Sequence, residues 1–445
     1  MKRNVISLSD HFDLRRLLQY TLPSIIMMIF TSIYGVVDGF FVSNFVGKTP
    51  FAALNLVYPF LLILGCVGFM FGTGASALIS KTMGEQDLKK SNELFTLAVV
   101  VAAGLGVMLA ALGFVLIRPF AVWMGAEGEL LENGVLYGKI ILLSLPFYVL
   151  QYEFQCLFAT AQKPKLGLFV TVLAGITNMI LDAVFVAVFR WGLAGAAAAT
   201  AASQLIGGIL PLIYFSCKNS SLLRFCRFRF DGGALMKICT NGSSEFLSNV
   251  SGSLVSMLYN AQLMKYAGED GIAAYGVLMY VQMIFLAIFI GYSVGSAPIV
   301  GYHYGAQNKK ELQNLLLTSL KFIGGCAVLM FAAGELLAKP VTLLFAGYDE
   351  GLLEITLRAF SIFSFSFLFS GFSIYGSSFF TALNDGLTSA VVSSLRTLVF
   401  QIAAVLLFPL IWELDGIWMS IVAAEIMSLL ATVFFLLIKK KRYGY

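Results

Sequence analysis

The sequence predicts an all-α integral membrane protein of twelve transmembrane helices, arranged as two six-helix lobes related by a pseudo-two-fold axis along the membrane normal. Three observations predict it. Hydrophobic residues make up 59% of the 445-residue chain and charged residues only 12%, against about 25% charged in soluble domains. Apolar runs long enough to cross a hydrocarbon core of about 30 Å as helices recur from end to end. Finally, the second half of the chain repeats the first at a constant offset, Gly47 falling on Gly268 and Gly84 on Gly305.

The apolar runs place spans at residues 16–42, 52–80, 92–117, 135–161, 166–189, 193–217, 237–264, 272–301, 313–338, 355–382, 387–411 and 416–438. With Lys and Arg assigned to alternating sides, 21 share the side of the N-terminus, 7 lie opposite, and Arg396 falls within a span. By the positive-inside rule this puts both termini in the cytoplasm and the protein in the plasma membrane as a multi-pass chain. Lys2, Arg3, Arg15 and Arg16 precede a long apolar run, whereas a cleaved signal has a short apolar core and a small-residue cleavage site. The Lys439 to Arg442 tail and the basic stretch from Lys218 through Arg224, Arg227 and Arg229 to Lys237 fall on the same side and report topology. That stretch divides the chain into an N-terminal lobe (1–221), a basic cytoplasmic linker (222–236) and a C-terminal lobe (237–445).

The ungapped repeat also superimposes Gly74 on Gly295, Gln86 on Gln307, Lys89 on Lys310, Gly104 on Gly325, Pro119 on Pro340, Thr160-Ala161 on Thr381-Ala382, Trp191 on Trp412 and Gly195 on Gly416. Gly, Pro and Trp are tied to backbone geometry and interfaces, so the halves share one fold. Each half has an even number of spans and both run the same way through the bilayer. Parallel repeats of this kind enclose a cavity between lobes.

Several classes are excluded. The six cysteines are scattered without a CxxC pair, so neither a disulfide framework nor a zinc site is expected. His11 and His303 do not form an HExxH motif, and no GxSxG or Walker loop occurs. An enzyme or a self-contained ATP-driven pump is not expected, nor is a resident metal or cofactor. The net charge of +5 belongs to the membrane margins and calls for no nucleic-acid partner. The chain is expected to work as a monomer in the lipid bilayer.

The chemistry starts at Gly175 to Val186, where an amide and a carboxylate interrupt a segment otherwise fit for lipid. Asn178 and Asp182, four apart, share a helix face. A charge at the centre of a membrane helix costs about 2.5 to 3.5 kcal/mol even on insertion scales, so such a residue is paired, protonated or functional. Under the ungapped repeat Asp38 faces Tyr259, Asn178 faces Val399, Asp182 faces Ala403 and Glu153 faces Ile374. Acids are thus concentrated in the first lobe, whose spans hold no Lys or Arg away from their ends. Asp38 lies about 22 residues into span 1 and Asp182 about 16 into span 5, which at about 1.5 Å per residue puts both in the outer half of the membrane. There they can meet as one ion-coupling site with Asn178 as donor or ligand. Such carboxylates can take up H⁺, or hold Na⁺ with the amide and backbone oxygens.

Glu153, mid-membrane in span 4, is a candidate for lining a cavity, as are Tyr259, Glu245 and Gln204. In the second lobe Glu245 and Arg396 each lie about 7 to 9 residues in from the cytoplasmic side, roughly 12 Å deep, and are expected to form a structural ion pair. Glu425, whose repeat counterpart is Gln204, either lines the cavity and attracts a cation or hydrogen-bonds a neighbouring helix. The 40 Phe and 16 Met residues suit a deformable pocket for flat lipophilic cations, although most of them face lipid or pack. The small-residue run Gly192 to Ala199 is read as helix packing.

Val36-Val37-Asp38-Gly39-Phe40-Phe41-Val42, the Asn178/Asp182 pair, the run FGTGASALISKTMG ending at Gly84 and its partner GYSVGSAPIVGYHYGAQN resemble the multidrug and toxic-compound extrusion (MATE) family over nearly the whole chain. The resemblance implies a V of two lobes open to the outside and efflux of small organic cations in exchange for H⁺ or Na⁺. It also implies that Asp38 and Asp182 are coupling acids, with Asn178 beside them. One branch of the family uses second-lobe carboxylates in spans 7 and 10. Here Ile355 to Ala382 contains no acid, and Glu245 stands nearer the start of span 7, which favours a first-lobe mechanism. Two other readings compete. A flippase for a lipid-linked saccharide or phospholipid would need a cavity rich in Arg or Lys, and only Arg396 is available. A non-transporting scaffold or sensor would tolerate amides at all three first-lobe acids.

Overall fold

The computed structural model of the protein describes residues 6–346 and 349–445; Lys2 and Arg3, counted in the charge bias, lie outside them. The helices are α1 (Leu14–Phe41), α2 (Thr49–Gly84), α3 (Leu88–Trp123), α4 (Gly128–Thr160), α5 (Pro164–Val188) and α6 (Gly192–Ser216) in the first lobe. A helical stretch Gly232–Gly305 is broken at Gly268, φ 63° and ψ −146°, into α7 (232–267) and α8 (269–305). Then follow α9 (Lys309–Phe345), α10 (Glu350–Ala382), α11 (Gly386–Leu407) and α12 (Pro409–Tyr443). These are the twelve expected spans. Helix α7 starts inside the stretch expected to be linker, at Gly232 rather than Lys237.

In a bilayer every backbone polar group needs an internal partner, so the ends of each helix carry the local sequence logic. Asp13, Asp87, Asp231, Asp349 and Asp385 each precede a helix and accept the backbone N–H three residues on, capping α1, α3, α7, α10 and α11. The hairpin bends are repeated in backbone geometry as well as in sequence. Gly47 and Gly268 both have positive φ, as do Gln86 (66°) and Gln307 (55°), and Gly192 (62°) and Glu413 (48°).

The repeat departs from its constant offset across α4, α5 and their counterparts. The α4 cap Glu127 matches Asp349 of α10, and the left-handed residue after α4, Gln162, matches Asn384, each one residue beyond the ungapped register. The second lobe therefore has one additional residue between Pro340 and Asp349. Glu153 is opposite Tyr375 rather than Ile374. π-Helical turns at Ala183–Val188 and Leu395–Val399, each able to absorb an extra residue, restore the offset only by Trp191 and Trp412. The pairings of Asn178 with Val399 and Asp182 with Ala403 are accordingly out of register, their counterparts lying further on.

The lobes meet along a seam of glycines on the face of the membrane that carries both termini. A Cβ on Gly84 would stand 2.0 Å from the Tyr302 carbonyl oxygen, and one on Gly305 would stand 1.9 Å from that of Lys81. These two contacts exchange under the repeat, so the pseudo-two-fold axis passes between them. Gly74 against the Ile238 carbonyl (2.0 Å) and Gly242 against that of Met70 (1.8 Å) extend the seam. The half of α2 nearest the terminal face packs along α7 and α8, while its far half scarcely meets them. Asn384 Nδ2 donates to the Ala77 carbonyl (3.0 Å), and Gln86 Nε2 donates to Tyr302 Oη (3.0 Å). The lobes are thus closed at the terminal face and diverge toward the far face.

The chain also enters each lobe across the other one. Ahead of α1, Phe12 N donates to Glu311 Oε1 (2.9 Å) and Asn314 Nδ2 donates to the Phe12 carbonyl (2.8 Å), both on α9. Ahead of α7, the linker lies on α3, where Arg224 N donates to Asn92 Oδ1 (2.6 Å) and Cys226 N donates to Thr96 Oγ1 (3.1 Å). At the other end Asp385 accepts from Tyr443 Oη (2.8 Å) and pairs with Lys439 (3.2 Å). Burial opposes ionisation of Asp385, but donors on Tyr443, Thr388 and Lys439 outweigh it and hold its carboxyl below the ordinary range.

Because a depressed carboxyl stabilises above its unfolded value and loses that contribution as pH falls through its folded value, the tail anchor should be intact at neutral pH and released in acid. Carboxypeptidase digestion of the tail should accelerate in that acid window, and Asp385→Asn should make digestion fast at every pH. For the seam, Gly305→Leu cannot be accommodated without separating the backbones. Spin labels at Lys90 and Lys310 should move apart in that variant; an unchanged distance distribution would show that the seam does not hold the lobes closed.

Candidate functional site

The first lobe brings Asp38, Asn178 and Asp182 together. Asp182 is the last α-helical residue before the π turn of α5, and it and Asn178 are fully buried one turn apart. The Asp38 carboxyl is turned toward Asp182 and Thr200, and Tyr137 stands beside both acids. Asn178 Nδ2 reaches Thr200 Oγ1 at 3.5 Å. Among the described residues, both Asp182 oxygens, Asp38 Oδ1 and Asn178 Oδ1 are buried without a hydrogen-bond partner. Four buried oxygens are thus left without a donor at this site, and among the described residues no basic side chain is paired with either acid. Two carboxylates so placed repel unless a proton or a cation lies between them.

The second lobe contains a neutral version of the same node. Tyr259, the counterpart of Asp38, is buried and donates to Gln401 Oε1 on α11 (2.8 Å), with Ser420 Oγ of α12 also at 2.8 Å. Helices 1, 5 and 6 supply the acidic node, and helices 7, 11 and 12 the neutral one.

Next to the neutral node opens a cavity of about 400 Å³. Its walls belong to the second lobe except for Thr73, Ser76 and Cys156. Tyr259 and Tyr275 lie in its wall with parallel rings 5.5 Å apart, and Met279, Met283, Asn249, Gln282 and Gln401 also face it. Among the described residues, two acidic side chains and one basic one line it: Glu245, Glu425 and Arg396. The Arg396 guanidinium grips Glu425 with two bonds, Nε to Oε2 at 3.1 Å and Nη2 to Oε1 at 3.0 Å. This corrects the expected Glu245–Arg396 pair. Glu245 feels the field of Arg396, but the guanidinium fork is directed at Glu425, and Glu425 on α12 takes both its bonds.

The other candidates fall elsewhere. Gln204 accepts from Ser144 Oγ at 2.5 Å inside the first lobe and does not line the cavity. Glu153 is fully buried with both oxygens unpartnered among the described residues. It lies behind the cavity wall, one turn before Cys156, where Gly72 allows α2 to rest on its Cα. Thr200 and Gln401 were not anticipated. The signal for each was a single polar residue in an apolar run, Thr200 in an alanine tract and Gln401 ahead of Ile402-Ala403-Ala404-Val405.

The family model named MatE matches twice, at residues 23–184 and 246–407, once in each lobe. The chain belongs to the MatE family. MatE proteins are transporters rather than enzymes, and this chain is a multi-pass membrane member. Curated relatives include the multidrug export protein MepA of Staphylococcus aureus strain MRSA252, 25% identical over 437 residues, covering 96% of this chain and 94% of the relative. MepA of Staphylococcus haemolyticus is 26% identical over 367 residues, 80% of each chain. Among solved structures, an outward-facing multidrug resistance MATE family transporter of the MOP superfamily superimposes with a TM-score of 0.92 at 22% identity, covering 100% of this chain and 98% of that one. A MOP superfamily transporter from Pyrococcus furiosus, described as having a binding pocket of reversed polarity, gives 0.90 at 21% identity over 98% of each chain. These likenesses support the two-lobe, twelve-helix architecture.

Removing one member of a buried ion pair typically costs about 3 to 5 kcal/mol because the other charge is stranded. Arg396→Met should therefore lower the thermal midpoint of the purified protein substantially. Arg396→Met/Glu425→Leu, which strands neither charge, should recover most of the loss.

Proposed function

We propose that the protein is a secondary antiporter that exports lipophilic organic cations, drugs of several kinds among them, in exchange for H⁺ or Na⁺. The observation that carries this reading is the Asp38/Asp182 pair, two converging carboxyls with orphaned oxygens in the apolar first lobe. One bound H⁺ or Na⁺ relieves their repulsion, and the Asn178 amide oxygen and Thr200 hydroxyl complete a small set of hard ligands. The cargo is assigned to the second-lobe cavity, where two carboxylates and one guanidinium leave an excess of negative charge beside aromatic rings and thioethers that suit a flat cation.

The excess of Lys and Arg on the terminal face makes that face cytoplasmic, so the glycine seam closes the inside and the cavity opens outward. Ion entering from outside occupies Asp38/Asp182 and lowers affinity for the cargo, which leaves; the two ligands are negatively coupled. An anionic, lipid-linked cargo fits poorly, because Arg396, the sole cation of the cavity wall among the described residues, is already held by Glu425. The names of the curated relatives, multidrug export proteins, agree with the export of drugs.

Uptake of a fluorescent lipophilic cation into inside-out proteoliposomes, under an imposed pH gradient or an imposed Na⁺ gradient, tests the proposal. One gradient should drive uptake by the unmodified protein, and Asp38→Asn or Asp182→Asn should reduce that uptake at least tenfold, a loss of about 1.4 kcal/mol of coupling or more. Variants that transport as well as the parent would remove the first lobe from the mechanism.

A further inference from the structure

The cavity holds one guanidinium that a site for cations does not need. Arg396 is 14% exposed at its side chain and Glu425 3%, and both face the same space as Glu245. A guanidinium in the wall of a cation site weakens binding unless its charge is used to set something. With Arg396 matched to Glu425 by two bonds, the formal charges of the three side chains sum to a single negative one, and the acid left without a bonded counter-ion is Glu245. Among the described residues no side-chain donor is bonded to the Glu245 carboxylate, whose helix position one turn before Asn249 turns it into the cavity.

We propose that Arg396 is a specificity-determining residue: as an internal counter-ion for Glu425 it fixes the cavity at one free negative charge and so selects monovalent organic cations over divalent ones. Specificity is a difference of affinities and is often produced by an element that opposes the wrong ligand. A dication entering this cavity finds one carboxylate free and the second already occupied by a cation that cannot leave, because it is tethered to α11. A monocation finds its charge matched without disturbing the Arg396–Glu425 pair. Arg396 also lies on the π-helical turn Leu395–Val399, a local backbone adjustment of a kind found often at functional sites.

The inference rests on the second-lobe cavity being the cargo site, and equilibrium binding without any gradient separates the two claims. The probes are tetraphenylphosphonium and a bis-phosphonium made of two such aryl-bearing centres joined by a short methylene chain, measured on the full-length protein in nanodiscs. The unmodified protein should prefer the monocation. Arg396→Gln, with two free carboxylates, should shift the ratio of affinities by about tenfold or more toward the dication. Glu425→Gln should free Arg396 for Glu245, giving a neutral cavity and a loss of monocation affinity of about tenfold. Arg396→Gln/Glu425→Gln restores a single negative charge and strands no partner, so it should return the ratio to that of the parent even where Arg396→Gln alone folds poorly.

A merely structural role for the pair would lower both affinities together and leave their ratio unmoved, which would overturn the inference. A double variant that behaves like Arg396→Gln would overturn it as well. If the unmodified protein binds neither cation, the antiporter reading falls and this inference falls with it. Binding of the monocation with an unchanged ratio in Arg396→Gln removes the inference alone.

Discussion

Backbone contact between the lobes is the constraint on which the rest of the structure depends. At Gly74, Gly84, Gly242 and Gly305 a carbonyl of the opposite lobe occupies the space a Cβ would fill, and helices that close have no latitude to slide. Small residues permit such approach in a membrane, where no hydrophobic force draws helices together and close packing carries the association. Because the seam is confined to the half of the membrane nearest the terminal face, closure there leaves the other face open, and the cavity is a consequence of where the glycines are. The Gly84 and Gly305 contacts exchange under the repeat, so one piece of geometry defines the axis and the closed face together.

Around that axis the lobes have diverged in charge while keeping backbone. The same three helices carry Asp38, Asp182 and Thr200 in the first lobe and Tyr259, Gln401 and Ser420 in the second. Two unpartnered carboxyls need an ion; a tyrosine, an amide and a serine satisfy one another. One lobe is thereby suited to gaining and losing a small cation, and the other is free to host a cavity whose own charges are nearly balanced. A pseudo-symmetric scaffold with unlike sites separates two ligands while letting one rigid-body movement serve both.

The sequence revealed the architecture because its signals are local or periodic. Apolar runs gave twelve spans, and Gly, Pro and Trp matches at a constant offset gave the repeat. The Asp38, Asn178 and Asp182 cluster was legible because charge in an apolar helix is costly enough to stand out. Three things were not. The register between lobes slips by a residue at Asp349 and is restored only beyond the π turns, which leave no mark in composition, so the partners of Glu153, Asn178 and Asp182 were misplaced. The partner of Arg396 depends on which of two acids its fork is directed toward, and depth alone suggested Glu245. Gln401 and Thr200, uncharged, passed as ordinary polar residues until the fold put them beside Tyr259 and Asp38.

The central claim is that ion and cargo bind in different lobes and are linked. It is tested most directly by the dissociation constant of a monovalent lipophilic cation measured against pH and against Na⁺ concentration, in the unmodified protein, in Asp182→Asn and in Glu245→Gln. Cation affinity in the unmodified protein should weaken as the coupling ion is raised. Asp182→Asn should bind the cation with an affinity that no longer responds to the ion, while Glu245→Gln should bind it weakly and retain the response of whatever binding remains. An affinity independent of both ions in the unmodified protein, or a response that survives in Asp182→Asn and disappears in Glu245→Gln, would contradict the account by placing both ligands in the second lobe.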